Sequence, residues 1–470
     1  MSNEWRAVLG AAVDHAVAYR ESLAERPHAP RLGYPEMRER TAATLPEQGA
    51  DAGAVLDELV GLCDPGLMSM AGPRFFGWVI GSSALPGVAA DLMVSAWGQN
   101  TGYQTPTPAM AAIEETVEHW LTEILDLPRQ SSIGFTTGAT VANAICLAAA
   151  RTRVLLGAGW DPDADGLFGA PPVEVLLGAD AHSSISSALQ LIGFGYNRVT
   201  RIATDEEGRM EAEALRAALD KGRQPRIVIL QAGQVNTGCF DDFATLVPLA
   251  REAGAWVHVD GAFGLWARAT PGYRHLTDGI EAADSWVTDG HKWLQAPYDT
   301  GFAIVKDREA HQRAMNNWAS YLPVVEAGDR VPSAFVPELS RRGRATPVWA
   351  ILKALGREGV IELVERNCAE AKRFAELLAA EPGITVVNDV VLNQVIVEFG
   401  SGDAAARKAA TEAMISAVQA DGTLFAAGAS WRGRWVMRLS VIGAPTTMAD
   451  IERSAAAIIG LWREMRQAAV

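Results

Sequence analysis

Residues 256–293 of the chain read WVHVDGAFGLWARATPGYRHLTDGIEAADSWVTDGHKW. The stretch opens on a short apolar run, Trp256-Val257-His258-Val259, that stops at the carboxylate of Asp260 and is followed by the small residues Gly261 and Ala262. A second, half-apolar run over 283–288 stops at Asp289-Gly290-His291-Lys292. Each run has the length and β-branched content of a buried strand. Open α/β sheets bind ligands beyond the ends of their strands, so the two runs deliver an acid and an amine to such an edge.

The flanking sequence fits that sheet. Residues 111–125 carry an amphipathic helical period, and 132–137 lead into a helix over 139–155. Strands are expected at 173–177, 198–202 and 227–231, with helices at 184–192, 210–220 and 243–253 between them. A last strand at 301–305 closes the sheet. This alternation predicts an α/β fold, a mainly parallel sheet covered by helices on both faces. Residues 318–345 hold prolines and glycines without a regular period and read as a long loop or lid. Helices at 349–355 and 360–380, strands at 384–387, 395–398 and 435–440, and a closing helix from Met448 predict a smaller α+β domain. The first 70 or so residues read as helices interrupted by the Pro-rich stretch 27–35, with a second helix near 52–63. They are too few to bury their own surface and should pack on something else, a second subunit being one choice. The expected division is an N-terminal helical segment at 1–72, a large domain at 73–345 and a small C-terminal domain at 346–470.

Composition narrows the function. The 470 residues are 49% hydrophobic and 21% charged, as in a soluble globular protein. The net charge of −15, without a dense Lys/Arg cluster, argues against a nucleic-acid partner. No run of about eighteen apolar residues occurs, so no membrane span or membrane partner is expected. At the N-terminus Glu4, Asp14 and Glu21 break up the apolar content that a secretory signal would need. The four cysteines, Cys63, Cys146, Cys239 and Cys368, lie far apart with no C-x-x-C pair. Free thiols and a cytoplasmic location follow as expectations, and no metal site does.

The chemistry rests on a few positions. A lysine in apolar surroundings becomes a nucleophilic amine suited to a Schiff base with an aldehyde, and Lys292, between His291 and Trp293-Leu294, is the best placed. An aspartate beside a ring nitrogen keeps that nitrogen protonated, so the ring can draw electrons from a carbanion; Asp260 suits that part. Taken singly, Lys292 also reads as an exposed loop lysine and Asp260 as a helix cap. The turn IGFTTGATVAN at 133–143 opens into a helix whose free N–H groups and dipole attract an anion such as a phosphate. It is neither GxGxxG nor GxxxxGK[ST], so a nucleotide is not indicated, and an ordinary capped helix fits the turn as well. His182 follows a strand and could stack on a flat ring opposite Ala262, or be a plain loop histidine. The aromatic-rich stretch holding Phe75, Phe76, Trp78, Trp97 and Tyr103 reads as core or as the wall of a pocket.

The segments T-T-G-A-T at 136–140, A-H-S-S at 181–184, V-N-T-G-C-F-D at 235–241, H-V-D-G-A-F-G at 258–264 and D-G-H-K-W-L at 289–294, in this order, resemble the group II pyridoxal 5′-phosphate (PLP)-dependent amino-acid decarboxylases. That group includes the aromatic-L-amino-acid, glutamate and histidine decarboxylases. The resemblance runs from Pro73-Arg74-Phe75-Phe76 to Arg438-Leu439-Ser440. It implies fold type I, aspartate-aminotransferase-like, and a homodimer with its sites at the subunit interface. By the same resemblance Lys292 matches the internal-aldimine lysine and Asp260 the partner of the pyridine nitrogen. Ala262 and His182 match the residues on the two ring faces. Gly138, Ala139 and Thr140 match the phosphate turn, with His291 and Ser285 nearby, and Arg438 matches an arginine that meets a substrate carboxylate.

The chain departs from the family in two places. Trp78-Val79-Ile80-Gly81 and Gln99-Asn100-Thr101-Gly102 differ from the aromatic-amino-acid enzymes along the pocket wall, which leaves the amino acid open and makes Trp78 and Asn100 candidate substrate contacts. The family's mobile loop carries a tyrosine that returns a proton after CO2 leaves; residues 324–339 contain none, Phe335 is the nearest aromatic, and Tyr321 comes earlier. A phenylalanine there marks the related aldehyde synthases. The expected reaction is decarboxylation of an L-amino acid to its amine. The alternatives are decarboxylation with oxidative deamination to an aldehyde, a PLP-dependent carbon–carbon lyase or aldolase, and a non-catalytic PLP-binding protein.

Overall fold

A computed structural model describes residues 2–221, 225–315 and 329–468. Seven strands, β1 (Ser132–Thr136), β2 (Glu174–Gly178), β3 (Val199–Ile202), β4 (Arg226–Gln231), β5 (Trp256–Asp260), β6 (Ser285–Asp289) and β7 (Gly301–Val305), form one sheet in the order β1-β7-β6-β5-β4-β2-β3. β3, β2, β4, β5 and β6 run parallel. β7 does not close the sheet at an edge, as its sequence position suggested. It lies between β1 and β6, antiparallel to both. The reason is length: residues 290–300 are too short a connection for the dozen or more residues a parallel crossover needs. β1 thereby points the same way as β6, and both end at the edge that carries Lys292.

β1, β5, β6 and β7 are buried along their whole length, which is why they read as apolar runs rather than as alternation. Alternate side chains serve opposite layers. Ile227 and Ile229 of β4 join the helices Ala139–Gly157 and Ser183–Leu191 on one face, while Val228 and Leu230 meet Phe243–Glu252 on the other. The helix Ala139–Gly157 is long and apolar enough to cross a membrane by length and composition; here it is mostly buried and packs on β5, β6 and β7.

The C-terminal part is a second, antiparallel sheet, β8 (Ile384–Val386), β9 (Gln394–Phe399), β10 (Ala427–Trp431) and β11 (Arg434–Ser440), in the order β10-β11-β9-β8. β10 and the helix Ala404–Asp421 escaped the sequence reading. The strand, AGASW, is built of small residues with weak strand preference. A two-residue turn, Arg432-Gly433 with φ of 47° and 77°, fixes it by folding it back on β11. The helix is rich in alanine, which blurs its apolar stripe; Asp403 caps its start and Gly422 ends it in a left-handed turn. The helices expected at 349–355 and 360–380 form one run, Ala345–Ala379, broken at Gly356 (φ 61°). Residues 75–76, assigned by sequence to the large domain, are stitched to the small one: Phe76 N donates to Phe425 O and Ser440 N to Phe76 O, at 2.9 and 3.0 Å.

Helices Ser2–Ser22, Tyr34–Thr41 and Ala52–Cys63 make the N-terminal segment, the second starting inside the Pro-rich stretch with Pro35 in its first turn. Trp5, Leu9, Val13 and Val17 stand exposed on the first helix, as do Val55 and Leu59 on the third.

Candidate active site

The parallel strand ends set the site. β5 ends at Asp260, one strand away from β6, which ends at Asp289; Lys292 follows in the turn. β1 ends beside them and turns through Gly138 into the helix Ala139–Gly157, while β2 leads to His182.

Gly138 is the helix N-cap and supplies no side-chain cap, so the first N–H groups of the helix are left for another acceptor. Its backbone (φ 157°) lies against Gly301, where a Cβ would come within 2.5 Å of Gly138 Cα, and against the His291 ring. Ala139 is buried and Thr140 is exposed at the same turn. His291 accepts from Thr300 N at Nδ1 (3.2 Å) and stacks under Tyr298 at 4.3 Å. These contacts hold it beside the turn, and burial pushes its pKa down.

Lys292 is largely buried, with Nζ 3.2 Å from Asp289 Oδ2 and 5.9 Å from the centre of the Phe263 ring. Asp260 is 5% exposed and accepts from Ala262 N at 3.3 Å. Burial raises its pKa, against the pull of His182 and Lys292. His182 caps the helix Ser183–Leu191, taking Ser184 N at Nδ1 (3.2 Å) and meeting Ser184 Oγ at 2.8 Å. Desolvation lowers its pKa, Asp260 works against this, and Lys292 and Arg438 reinforce it, so the imidazole is neutral near pH 7. Arg438 on β11 reaches the same space: its guanidinium meets Asn236 Oδ1 at 3.4 Å and pairs with no acid among the described residues.

Trp78 is 46% exposed, its ring 5.1 Å from Phe425 and 6.0 Å from Phe75. Trp78 and Val79 both have left-handed backbone, φ of 52° and 59°, which only dense surroundings can impose on such residues. The residues that follow them are pressed against the lysine turn. A Cβ on Gly81 would lie 2.1 Å from Lys292 O, and Ser82 donates through both N and Oγ to Gln295 Oε1 at 2.8 Å.

Three expected positions lie elsewhere. Ser285 is at the start of β6, the opposite end of the strand from Lys292, where it bonds Trp256 Nε1 and His258 Nδ1 at 2.9 Å each. It is a core hydroxyl and no neighbour of the phosphate turn. Phe335 is fully buried beneath β1 between the guanidinium groups of Arg330 and Arg308, and its carbonyl accepts from His311 Nε2 at 3.0 Å. That carbonyl sits where a side chain on Gly134 would be, so Phe335 is not an aromatic at the Lys292 edge of this chain. Asn100 binds Arg341 N (3.1 Å) and Ser340 Oγ (3.4 Å), away from Lys292 in this chain. Of the expected lid, Trp318 and Tyr321 fall outside the described residues. The part from 329 onward is anchored, with Arg330 and Arg341 buried against Glu114 and Glu118.

Two functional residues went unread. Asp289 pairs with Lys292, and the signal was its place three residues before the lysine. Gln295, 1% exposed with φ 58°, ties the lysine turn to the Ser82 segment and, through Nε2 to Ile442 O at 2.8 Å, to the small domain. A buried glutamine directly after an apolar turn was the available clue.

The residues therefore suit a flat, phosphate-bearing aldehyde: an amine to hold it, a buried acid and a neutral histidine for its ring, and an uncapped helix end for its phosphate. A family model described as the pyridoxal-dependent decarboxylase conserved domain matches residues 35–399. The chain is 27% identical over 390 residues to an aromatic-L-amino-acid decarboxylase of Bacillus atrophaeus, covering 79% of each. It is 29% identical over 367 residues to an L-2,4-diaminobutyrate decarboxylase of Rhizobium meliloti (strain 1021), covering 76% of this chain and 71% of the relative. Its fold matches a crystal structure of Oryza sativa TDC with PLP and tryptamine, with a TM-score of 0.92, 22% identity and 99% of both chains covered.

Proposed function

Because the chain belongs to the pyridoxal-dependent decarboxylases, PLP-dependent carboxy-lyases of fold type I, we propose that it takes the α-carboxylate from an L-amino acid as CO2 and releases the amine, with its cofactor held on Lys292. The observation that carries this reading is the convergence of Lys292, Asp260, His182 and the uncapped Gly138 turn on one sheet edge. When bound, PLP supplies an electron sink for the pair left behind as CO2 departs.

The chain's own groups do the rest. Lys292 Nζ would hold the cofactor through its aldehyde carbon and free it for the substrate amine. The buried Asp260 carboxylate would pair with a protonated ring nitrogen, a charge pair that low dielectric strengthens. The neutral His182 ring and Ala262 confine the two faces of the ring without adding charge. Gly138, Ala139 and Thr140 hold the phosphate with backbone N–H groups, and His291 borders them. Arg438, a half-buried cation with no acid partner among the described residues, is suited to a substrate carboxylate. Trp78, with Phe75 and Phe425 behind it, offers an aromatic wall that fits an apolar or aromatic side chain.

Phe335, the phenylalanine that suggested an aldehyde synthase, is held in the core of its own chain and gives that alternative no support. A second copy of the chain would complete the site: exposed Trp5, Leu9 and Val13, and Leu92, Met93 and Trp97 of the helix Leu85–Trp97, offer it an apolar face. The four free thiols fit a reducing, cytoplasmic setting. Borohydride trapping followed by peptide mass mapping tests the attachment, since PLP trapped anywhere but on Lys292 refutes it. Assays of CO2, amine, aldehyde and peroxide over a panel of amino acids test the reaction. Peroxide with aldehyde, in place of amine, establishes the synthase instead, and turnover without CO2 establishes a lyase or aldolase. Tyr321→Phe is the informative variant, because the family's proton donor is a loop tyrosine and this is the chain's last one.

A further inference from the structure

Asp289 has no part in the chemistry above, yet it sits at the centre of the site. It is 2% exposed, and its backbone N–H is tied to Ala262 O at 2.9 Å, so its side chain is fixed at the end of β6. Oδ2 holds Lys292 Nζ at 3.2 Å and lies 3.6 Å from His291 Nε2. Oδ1 is buried without a hydrogen-bond donor. That orphaned oxygen faces the phosphate turn: it lies 3.6 Å from where a Cβ would stand on Gly138 and 2.9 Å from the same point on Gly301. A buried carboxylate thus stands beside the first turn of the helix Ala139–Gly157, next to the place a phosphate needs, and its other oxygen engages the amine a cofactor needs.

We propose that Asp289 is a built-in anionic place-holder, which steadies the lysine turn by pairing with Lys292 beside the helix pole and which opposes the cofactor phosphate once it binds. This rests on the PLP reading of the site and adds a regulatory consequence: the enzyme gives up its cofactor readily. Two anions at one buried helix end repel in a low-dielectric setting, and Lys292 has to leave its partner to reach the cofactor. Asp260, on the ring side, carries the same charge with the opposite effect, since its partner is a cationic ring nitrogen.

The test is equilibrium dialysis of cofactor-stripped protein against PLP and against pyridoxal, which lacks the phosphate. Thermal melting of the stripped forms runs in parallel. Asp289→Asn is expected to bind PLP at least about tenfold tighter than the wild type, with a smaller gain for pyridoxal, while its stripped form melts lower. Asp260→Asn is expected to bind PLP more weakly, which rules out a general effect of removing charge. Asp289→Ser provides a second neutral side chain should the asparagine fold poorly. Unchanged or weaker PLP binding, or an equal gain for both ligands, overturns the proposal while the PLP reading stands. If the wild type takes up no PLP, the reading of the site falls and this inference with it.

Discussion

Replacing Gly81 with alanine tests the seating of the lysine turn. The added Cβ would lie 2.1 Å from Lys292 O, 2.7 Å from His291 O and 3.0 Å from Lys292 C, all backbone atoms. An ordinary carbon–oxygen contact is near 3.4 Å, so one of the two segments has to retreat by about 1 Å. The lysine side cannot give easily, because Gln295 bonds Lys292 O, Trp293 O, Ser82 and Ile442 O at once. The Gly81 side cannot either, since Trp78 and Val79 already hold a left-handed backbone. Overpacking of this kind costs about 1–3 kcal/mol, and a misplacement of about 1 Å at a reacting group costs roughly 100-fold in rate. The assay is CO2 release at saturating and limiting amino acid, with reductive trapping of PLP on Lys292 and a thermal melt. Gly157→Ala is the control, because nothing lies within 4 Å of its added carbon. A Gly81→Ala enzyme with trapping and kcat/KM within twofold of the wild type would refute the packing described here.

Other outcomes follow from buried charge and position. His258 and His311 are pushed down to about 3 and His28 to about 4 by burial, against an ordinary 6.5. The unfolded chain therefore takes up these protons first, and stability is held above about pH 6.5 and lost as pH falls. At about pH 5 each histidine costs about 2 kcal/mol, while Asp241, raised to about 6 by burial, returns about 1.4 kcal/mol. Urea unfolding at several pH values checks this, and a His311→Gln protein whose acid slope matches the wild type would exclude that residue. Ser285→Ala should lower stability by about 1–2 kcal/mol through its lost bonds and leave PLP affinity within twofold by dialysis. A tenfold loss of affinity would return Ser285 to the cofactor site. Arg438→Gln should raise KM for the amino acid at least about tenfold, the loss of one charge-assisted contact, with PLP binding intact. An unchanged KM would remove Arg438 from the substrate.

Much of this was legible in order along the chain. The strand runs at 256–259 and 283–288, the Gly/Thr turn at 136–140 and the alternation of strand and helix sufficed for an α/β sheet, a phosphate turn and an acid–lysine pair. Those features are local: apolar periodicity and the residues at strand ends register directly in sequence. Small residues hid β10 and alanine hid the helix Ala404–Asp421, since neither bears a strong periodic signal. What only the tertiary structure decided was which way each residue faces and what stands opposite. Ser285 and Lys292 are seven positions apart, yet a buried strand carries them to opposite edges of the sheet. Phe335 is a lid residue by sequence and a core residue by packing, because the bare backbone of Gly134 lets its carbonyl in. Asp289 looked like part of a motif and became the partner of Lys292, with one oxygen left without a donor beside the phosphate turn, once β1, β7 and β6 were set side by side. Strand order and long-range register bring these groups together, and they depend on pairings between residues more than 150 positions apart that no local pattern encodes.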